Sequence, residues 1–464
     1  MQHKKQSKSQ PLFIIAKRFQ EILTRMSTIT NTMTMQFTFK YIYSLSLFLL
    51  AGVWAQAQPT VYPAKAQTSA ISIKGATIHI GNGQVITNGT LVFDKGKITY
   101  VGDGSGAPNA TETIDAHGKH LYPGFIAPVT NLGLVEIEAV RATVDNTEVG
   151  GNNAHVRALI AYNTDSKVIN TLRTNGILLA QVTPEGGLVT GQSSIVQLDA
   201  WNWEDAAYKK DDAIHINWPS IRYARFGATN EEEQKERIRK ERTTLADLLT
   251  DASAYCAVDK PDVFNGRLEA FRKVFDGSRK LMVHVDKKND IIAAVQFFKD
   301  YGLKPVLVGG AEAHLVSAFL KENDIAIIIH QAHSLPANED DDVNLPYKQA
   351  KLLSDAGLLV AYGMDGFWQQ RNLPFMAGTA AAFGLDKEKA LATITLNTAK
   401  ILGIDQTTGS LELGKDANLF LSVGDALDMK GNQLEKAFIG GRDINLDNLH
   451  KQLFERFEYK YGQK

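Results

Sequence analysis

Residues Leu121-Tyr-Pro-Gly-Phe-Ile-Ala-Pro-Val-Thr-Asn-Leu-Gly-Leu134 stand where the chain changes its pattern. Before them, residues 69–122 are short apolar runs alternating at period two and broken by Gly and Asn, the mark of strands joined by tight turns. After them, from 176 to 365, apolar runs alternate with amphipathic stretches every 20–30 residues, as a parallel sheet wrapped by helices requires. Buried strands are predicted at 177–182, 281–285, 305–308, 325–329 and 358–361, and helices at 289–300 and 311–322. No G-x-G-x-x-G follows a first strand, which argues against a doubly wound dinucleotide-binding sheet.

The quoted stretch resembles the first-strand metal motif of the amidohydrolase superfamily, roughly P-G-[FLI]-I-D-x-H-x-H-L-G. Pro123, Gly124, Phe125, Ile126, Leu132 and Gly133 match, but Val129 and Asn131 occupy the two histidine positions. A second resemblance lies at residues 390–403 and 409–421, similar to the family's last barrel helix and the strand that returns to its β module; 437–442 adds another strand. The nearest branch by resemblance is the imidazolonepropionase-like one. The implied fold is α/β, a (β/α)8 TIM-type barrel with a small β-sandwich domain built from N- and C-terminal segments. Its implied boundaries are an N-terminal extension and signal peptide (1–57), the N-terminal sandwich segment (58–122), the barrel (123–404), the C-terminal sandwich segment (405–446) and a C-terminal helix (447–464).

The family's metals sit at the C-terminal mouth of the barrel, so each ligand position can be sought at a strand end. Strand eight, 358–364, leads into Asp365, which matches the family's metal-binding and acid/base aspartate; a turn aspartate before Gly366 is the alternative. Strand five ends in His284, at the position of a histidine ligand. Strand six has Gly309 and Gly310 where a second histidine is usual, with Glu312 and His314 a few residues on. His215 falls where the family's bridging lysine strand is expected. His330 and His333 follow strand seven, and both rings could face the mouth. His284, Asp365 and one of these would give three ligands and an open position for water. The cofactor implied is a divalent metal, zinc first, as one ion or none, since valine donates nothing and a full binuclear centre needs the first-strand pair.

These residues leave two classes of function open. One is a hydrolase of non-peptide C–N bonds in a cyclic amide, dipeptide-like or related small molecule, with a reduced or rearranged metal site. The other is a degenerate barrel that binds a ligand or pairs with a related amidohydrolase. Metal-independent chemistry with Asp365 as base is a third possibility.

Residues 41–55, rich in Leu, Phe and Ile after Lys40 and followed by Ala55-Gln-Ala57, read as a signal peptide cleaved after Ala57. The apolar run is short of the roughly 20 residues a spanning helix needs. Export to a periplasm or the exterior is therefore expected, with no stable membrane anchor after processing, and Met35 is a candidate start. Residues 1–57 carry seven Lys/Arg and one Glu, so the formal charge of −1 becomes −7 without them, and nothing suggests a nucleic-acid partner. The single Cys256 permits no internal disulfide. The charged run 231–245 reads as a solvated helix and the acidic run 339–342 as a solvated loop. The tail from 447, with Leu453, Phe454 and Phe457 among charges, could dock on the barrel or on a second subunit.

Overall fold

By internal contacts the chain divides into two units, residues 1–61 and 62–464. The computed structural model describes residues 61–221, 230–364 and 366–463, with Arg18, Gln20 and Arg25 as exposed helical positions of the first unit. The proposed signal segment and Asp365 lie outside the described residues. Among the described residues no helix is long and apolar enough to cross a membrane.

The second unit begins with β1 (Ile71–His79), β2 (Val85–Asp94), β3 (Lys97–Gly102), β4 (Glu112–Asp115) and β5 (His120–Pro123). β2 and β3 pair antiparallel across Lys95 and Gly96, both at positive φ (50° and 77°). That is the backbone a two-residue hairpin loop needs to match strand twist, and glycine supplies its second position without strain. β1 pairs antiparallel with β2 and parallel with β4 and β5.

The barrel sheet runs in order through β6 (Phe125–Thr130), β7 (Ile177–Val182), β8 (Val189–Gln197), β9 (Ala207–Asn217), β10 (Lys280–Val285), β11 (Pro305–Gly309), β12 (Ile327–Ile329) and β13 (Val360–Tyr362). Thr393 and Ile394 span its two edges: Tyr362 N donates to Thr393 O at 3.2 Å and Ile126 N to Ile394 O at 2.9 Å. Helices α1 (Lys167–Arg173), α2 (Glu231–Cys256), α3 (Lys288–Asp300), α4 (Ser317–Glu322) and α5 (Leu345–Asp355) connect the parallel strands. α3 shows why they pack: Ile291, Ala294, Val295 and Phe298 recur at helical spacing and are buried.

Strict strand–helix alternation fails in one place, which corrects the (β/α)8 expectation. β8 is antiparallel to both β7 and β9. Gly186 and Gly187, at φ 80° and 72°, turn the chain back into β8. Every residue of β8 is buried, so Val-Thr-Gly-Gln-Ser-Ser-Ile-Val-Gln carries no polar/apolar alternation to announce it.

After the barrel, β14 (Leu419–Ser422), β15 (Leu434–Ile439) and β16 (Arg442–Asp443) return to the first sheet, giving the order β16-β15-β14-β5-β1-β2-β3 with β4 beside β1. Its core joins Ile73, Leu91, Phe93 and Leu121 to Leu419 and Phe438. Asp199, just past β8, clasps this sheet to the barrel. It is almost fully buried and accepts from Arg173 Nη1 at 2.6 Å, Arg442 Nη1 at 2.9 Å and Ala64 N at 2.9 Å. The chain ends in α6 (Leu449–Tyr461), which buries no residue.

Candidate active site

At the C-terminal ends of the parallel strands lies a cavity of about 160 Å³, lined by Thr130, Thr183, Glu185, Thr190, Asn217, Val308, His284 and His330 among others. Strand alternation decides which side chains reach the barrel interior. On β10, Leu281, Val283 and Val285 join the core beneath the helices, while Met282 joins the interior cluster with Ala213, Ile195 and Ile328. His284 and, on β9, His215 continue that inner face. Met282 is the register partner of His215, so the two rings are one stagger apart on adjacent strands.

The two imidazoles meet. His215 Nδ1 lies 3.0 Å from His284 Nε2, and His215 Nε2 lies 3.0 Å from Ser193 Oγ. Ser193 Oγ donates to Asp212 Oδ1 at 2.8 Å, and Gln181 Nε2 donates to Asp212 Oδ2 at 2.7 Å. Burial pushes His284 down to about 4, assisted by the charge of His330 and opposed by Asp286. Burial, then His284, holds His215 well below the usual imidazole range. Burial also raises Asp212 to about 6, against its bonds from Ser193 and Gln181. Both rings are therefore neutral at pH 7 and have lone pairs to offer.

The β6 side of the mouth is built differently. Val129 has φ 51°, where a β-branched residue is strained, and the β6–β7 register shifts between Ala127 and Thr130. Its N–H donates to Gln181 Oε1 at 3.2 Å. Asn131 Nδ2 donates to Glu185 Oε1 at 3.0 Å and Asn146 Nδ2 to Glu185 Oε2 at 2.8 Å, so two amides hold a carboxylate at the cavity wall. Asn131 Oδ1 is buried with no hydrogen-bond partner among the described residues.

The remaining candidates scatter. His330 lines the cavity, with Nε2 3.2 Å from Asp286 Oδ1. Burial works against ionisation of Asp286, but the bond to His330 and its charge outweigh it and lower the carboxyl. His333 is elsewhere: its Nε2 is 2.8 Å from Thr379 Oγ1, and it lines another cavity with Phe375 and Lys387. The two rings after β12 therefore do not share the mouth. Glu312 binds Lys287 Nζ at 3.0 Å and Lys288 N at 2.8 Å, and neither it nor His314 lines the cavity.

The sequence profile of the Amidohydrolase family matches residues 214–443. The imidazolonepropionase of Symbiobacterium thermophilum is 25% identical over 376 residues, covering 73% of this chain and 84% of that protein. The solved amidohydrolase of Thermotoga maritima superposes with a TM-score of 0.69 at 23% identity, over 81% of this chain and 99% of that one. The chain belongs to the amidohydrolase superfamily, in its imidazolonepropionase-like branch. Members of this superfamily generally use a divalent metal. An adenosine deaminase of Xanthomonas campestris, solved with bound zinc, superposes at TM-score 0.50 and 14% identity, over 87% of this chain and 99% of that one.

As an amidohydrolase, the chain can be tested for its fit to such an ion. Two nitrogens bound tetrahedrally to one zinc are about 3.3 Å apart. His215 Nδ1 and His284 Nε2, at 3.0 Å, need to part by only a few tenths of an ångström. β9 and β10 thus offer one ion two nitrogens, while Val129 on β6 offers none. Among the described residues, no three His, Cys, Asp or Glu side chains are grouped to hold a metal. Sequence reading assigned no chemistry to Glu185, Ser193, Asp212 or Gln181; the last three are polar residues of β8, β9 and β7 that meet only through β8's reversed course.

Proposed function

We propose that this amidohydrolase cleaves a non-peptide C–N bond in a small cyclic amide, dipeptide-like or related molecule, using one divalent ion, zinc first, held by His215, His284 and Asp365. The observation that carries the reading is the neutral imidazole pair, of which His284 lines the strand-end cavity and His215, completely buried, backs it at 3.0 Å. When bound, the ion would supply Lewis acidity to the scissile carbonyl and to a water nucleophile. Around it, Glu185 and His330 present polar atoms to a substrate at the cavity wall, and Asp365, preceding Gly366 of that wall, takes the acid/base role. The interior beneath is apolar, with Met282, Ile195 and Ile328 keeping bulk water from the chain side of the site.

The second reading is a degenerate barrel that binds a ligand, assembles with itself or pairs with an active relative. The unpartnered Asn131 Oδ1 and the donor-free Val129 favour it. Metal content of the purified protein, by elemental mass spectrometry, separates the two. About one ion per chain, lost in a His284→Ala, Asp365→Ala double variant, is expected; no ion in either after growth with metal supplied would sink the hydrolase reading. We further propose export, with residues 1–57 removed; N-terminal sequencing of the protein from the producing cell should then begin at Gln58.

A further inference from the structure

We propose that Ser193 and Asp212 are positioning residues that fix the tautomer of His215, leaving the lone pair on Nδ1, the atom that faces His284 and would serve as its ligand atom. The proposal rests on the metal-site reading above and adds to it two side chains that touch neither substrate nor ion.

The hydrogen positions follow from two groups with no choice of role. Val129 N–H can only donate, so the Gln181 side chain must present Oε1 to it, at 3.2 Å. That turns Gln181 Nε2 toward Asp212 Oδ2 at 2.7 Å and Ser193 Oγ at 3.2 Å. An ionised Asp212 can only accept, so Ser193 spends its one proton on Oδ1 at 2.8 Å. Ser193 Oγ is then left with lone pairs, and the His215 Nε2 that lies 3.0 Å away must carry the proton. The neutral ring therefore has its lone pair on Nδ1, the atom that faces His284. In the metal-free protein His284 Nε2–H donates to it.

Burial argues that this chain is more than filling. Gln181, Ser193 and His215 are completely buried and Asp212 is 1% exposed, beside an interior otherwise closed by Ala213, Ile195, Met282 and Leu179. Apolar side chains would occupy that space at no desolvation cost, whereas a buried carboxylate is tolerated only when its acceptors are filled. The network is filled atom by atom and ends at the imidazole nitrogen pair. Outer partners of this kind orient ligand imidazoles and typically change metal affinity by about 10–100-fold when removed.

The test uses the purified full chain stripped of metal by chelation, with selectively ¹⁵N-labelled histidine. His215 should show a protonated Nε2 and an unprotonated Nδ1 at neutral pH, with resonances assigned from a His215→Gln variant. In competition with a chromophoric chelator, Ser193→Ala should bind Zn²⁺ about 10–100-fold more weakly than the parent. Ser193→Thr, which keeps the hydroxyl, should recover most of that affinity. A protonated Nδ1 on His215, or Ser193→Ala binding zinc as tightly as the parent, overturns the proposal. If the parent binds no zinc, the metal reading falls, yet the nitrogen spectrum still decides whether Ser193 and Asp212 set the tautomer. That spectrum, taken on the parent, also decides it if Ser193→Ala does not fold.

Discussion

The two sides of the barrel mouth are built from the same kind of strand end and have opposite contents. On β9 and β10, His215 and His284 stand on regular parallel strands, and each nitrogen of His215 has a partner. On β6 the register slips, Val129 sits at φ 51°, and Asn131 buries an amide oxygen with no partner among the described residues. The barrel accommodates both because strand pairing is a backbone matter, and Pro123, Gly124, Phe125 and Ile126 keep the strand in place whatever follows them. Strand-end side chains are thus a layer that can differ from one strand to the next without loosening the sheet.

The comparison breaks most visibly if the imidazole side proves dispensable. His215→Ala should lose its metal and lower turnover by on the order of 10²–10⁴-fold, read by elemental analysis and by hydrolysis of whichever cyclic amide or dipeptide a screen identifies. Unchanged metal content would mean that the two sides are equally idle.

A smaller effect sharpens the contrast through pH. Asp212, raised to about 6, holds a proton in the folded protein that the unfolded chain has shed, so its contribution is full below about pH 4 and is lost as pH rises through 6. His284, lowered to about 4, runs the other way: its contribution is present above about 6.5 and lost as pH falls through 4. The two oppose each other between pH 4 and 6. Asp212→Asn leaves only the imidazole side, so in metal-free protein its stability should climb more steeply over that window, by on the order of 3 kcal/mol. Urea titrations across the window with parallel slopes for parent and variant would refute this.

The smallest effect concerns β6. Val129→His with Asn131→His restores the missing donor types but not the backbone, which Gln181 pins in its slipped register. No second ion is expected, together with a stability loss of about 1–3 kcal/mol from disturbing a strained, buried segment. Two ions per chain would show instead that β6 lacks only the side chains.

How far the sequence could be read follows the same division. The hairpins of 71–102 announce themselves through the Gly and Asn turns that separate their short apolar runs; β7, β10 and β11 do so as apolar runs of strand length. His284 is legible because it closes such a run. β8 is not, since a strand buried on both faces and carrying Thr, Gln and Ser looks like a polar loop until its partners are known. That look conceals Ser193, which meets His215 only once β8 is in place. His333 was misjudged for a nearer cause: after β12 the chain turns, and Thr379 captures the second ring.

The order of strands in the first sheet has a consequence in time. β14 fills the open edge of β5, yet it lies roughly 300 residues further along the chain. At about 5–20 residues per second of synthesis, that edge waits tens of seconds for its cover. Asp199 waits nearly as long for Arg442, 243 residues further on. During that interval the nascent chain carries an unpaired strand border, the kind of surface that chaperones hold and neighbouring chains join.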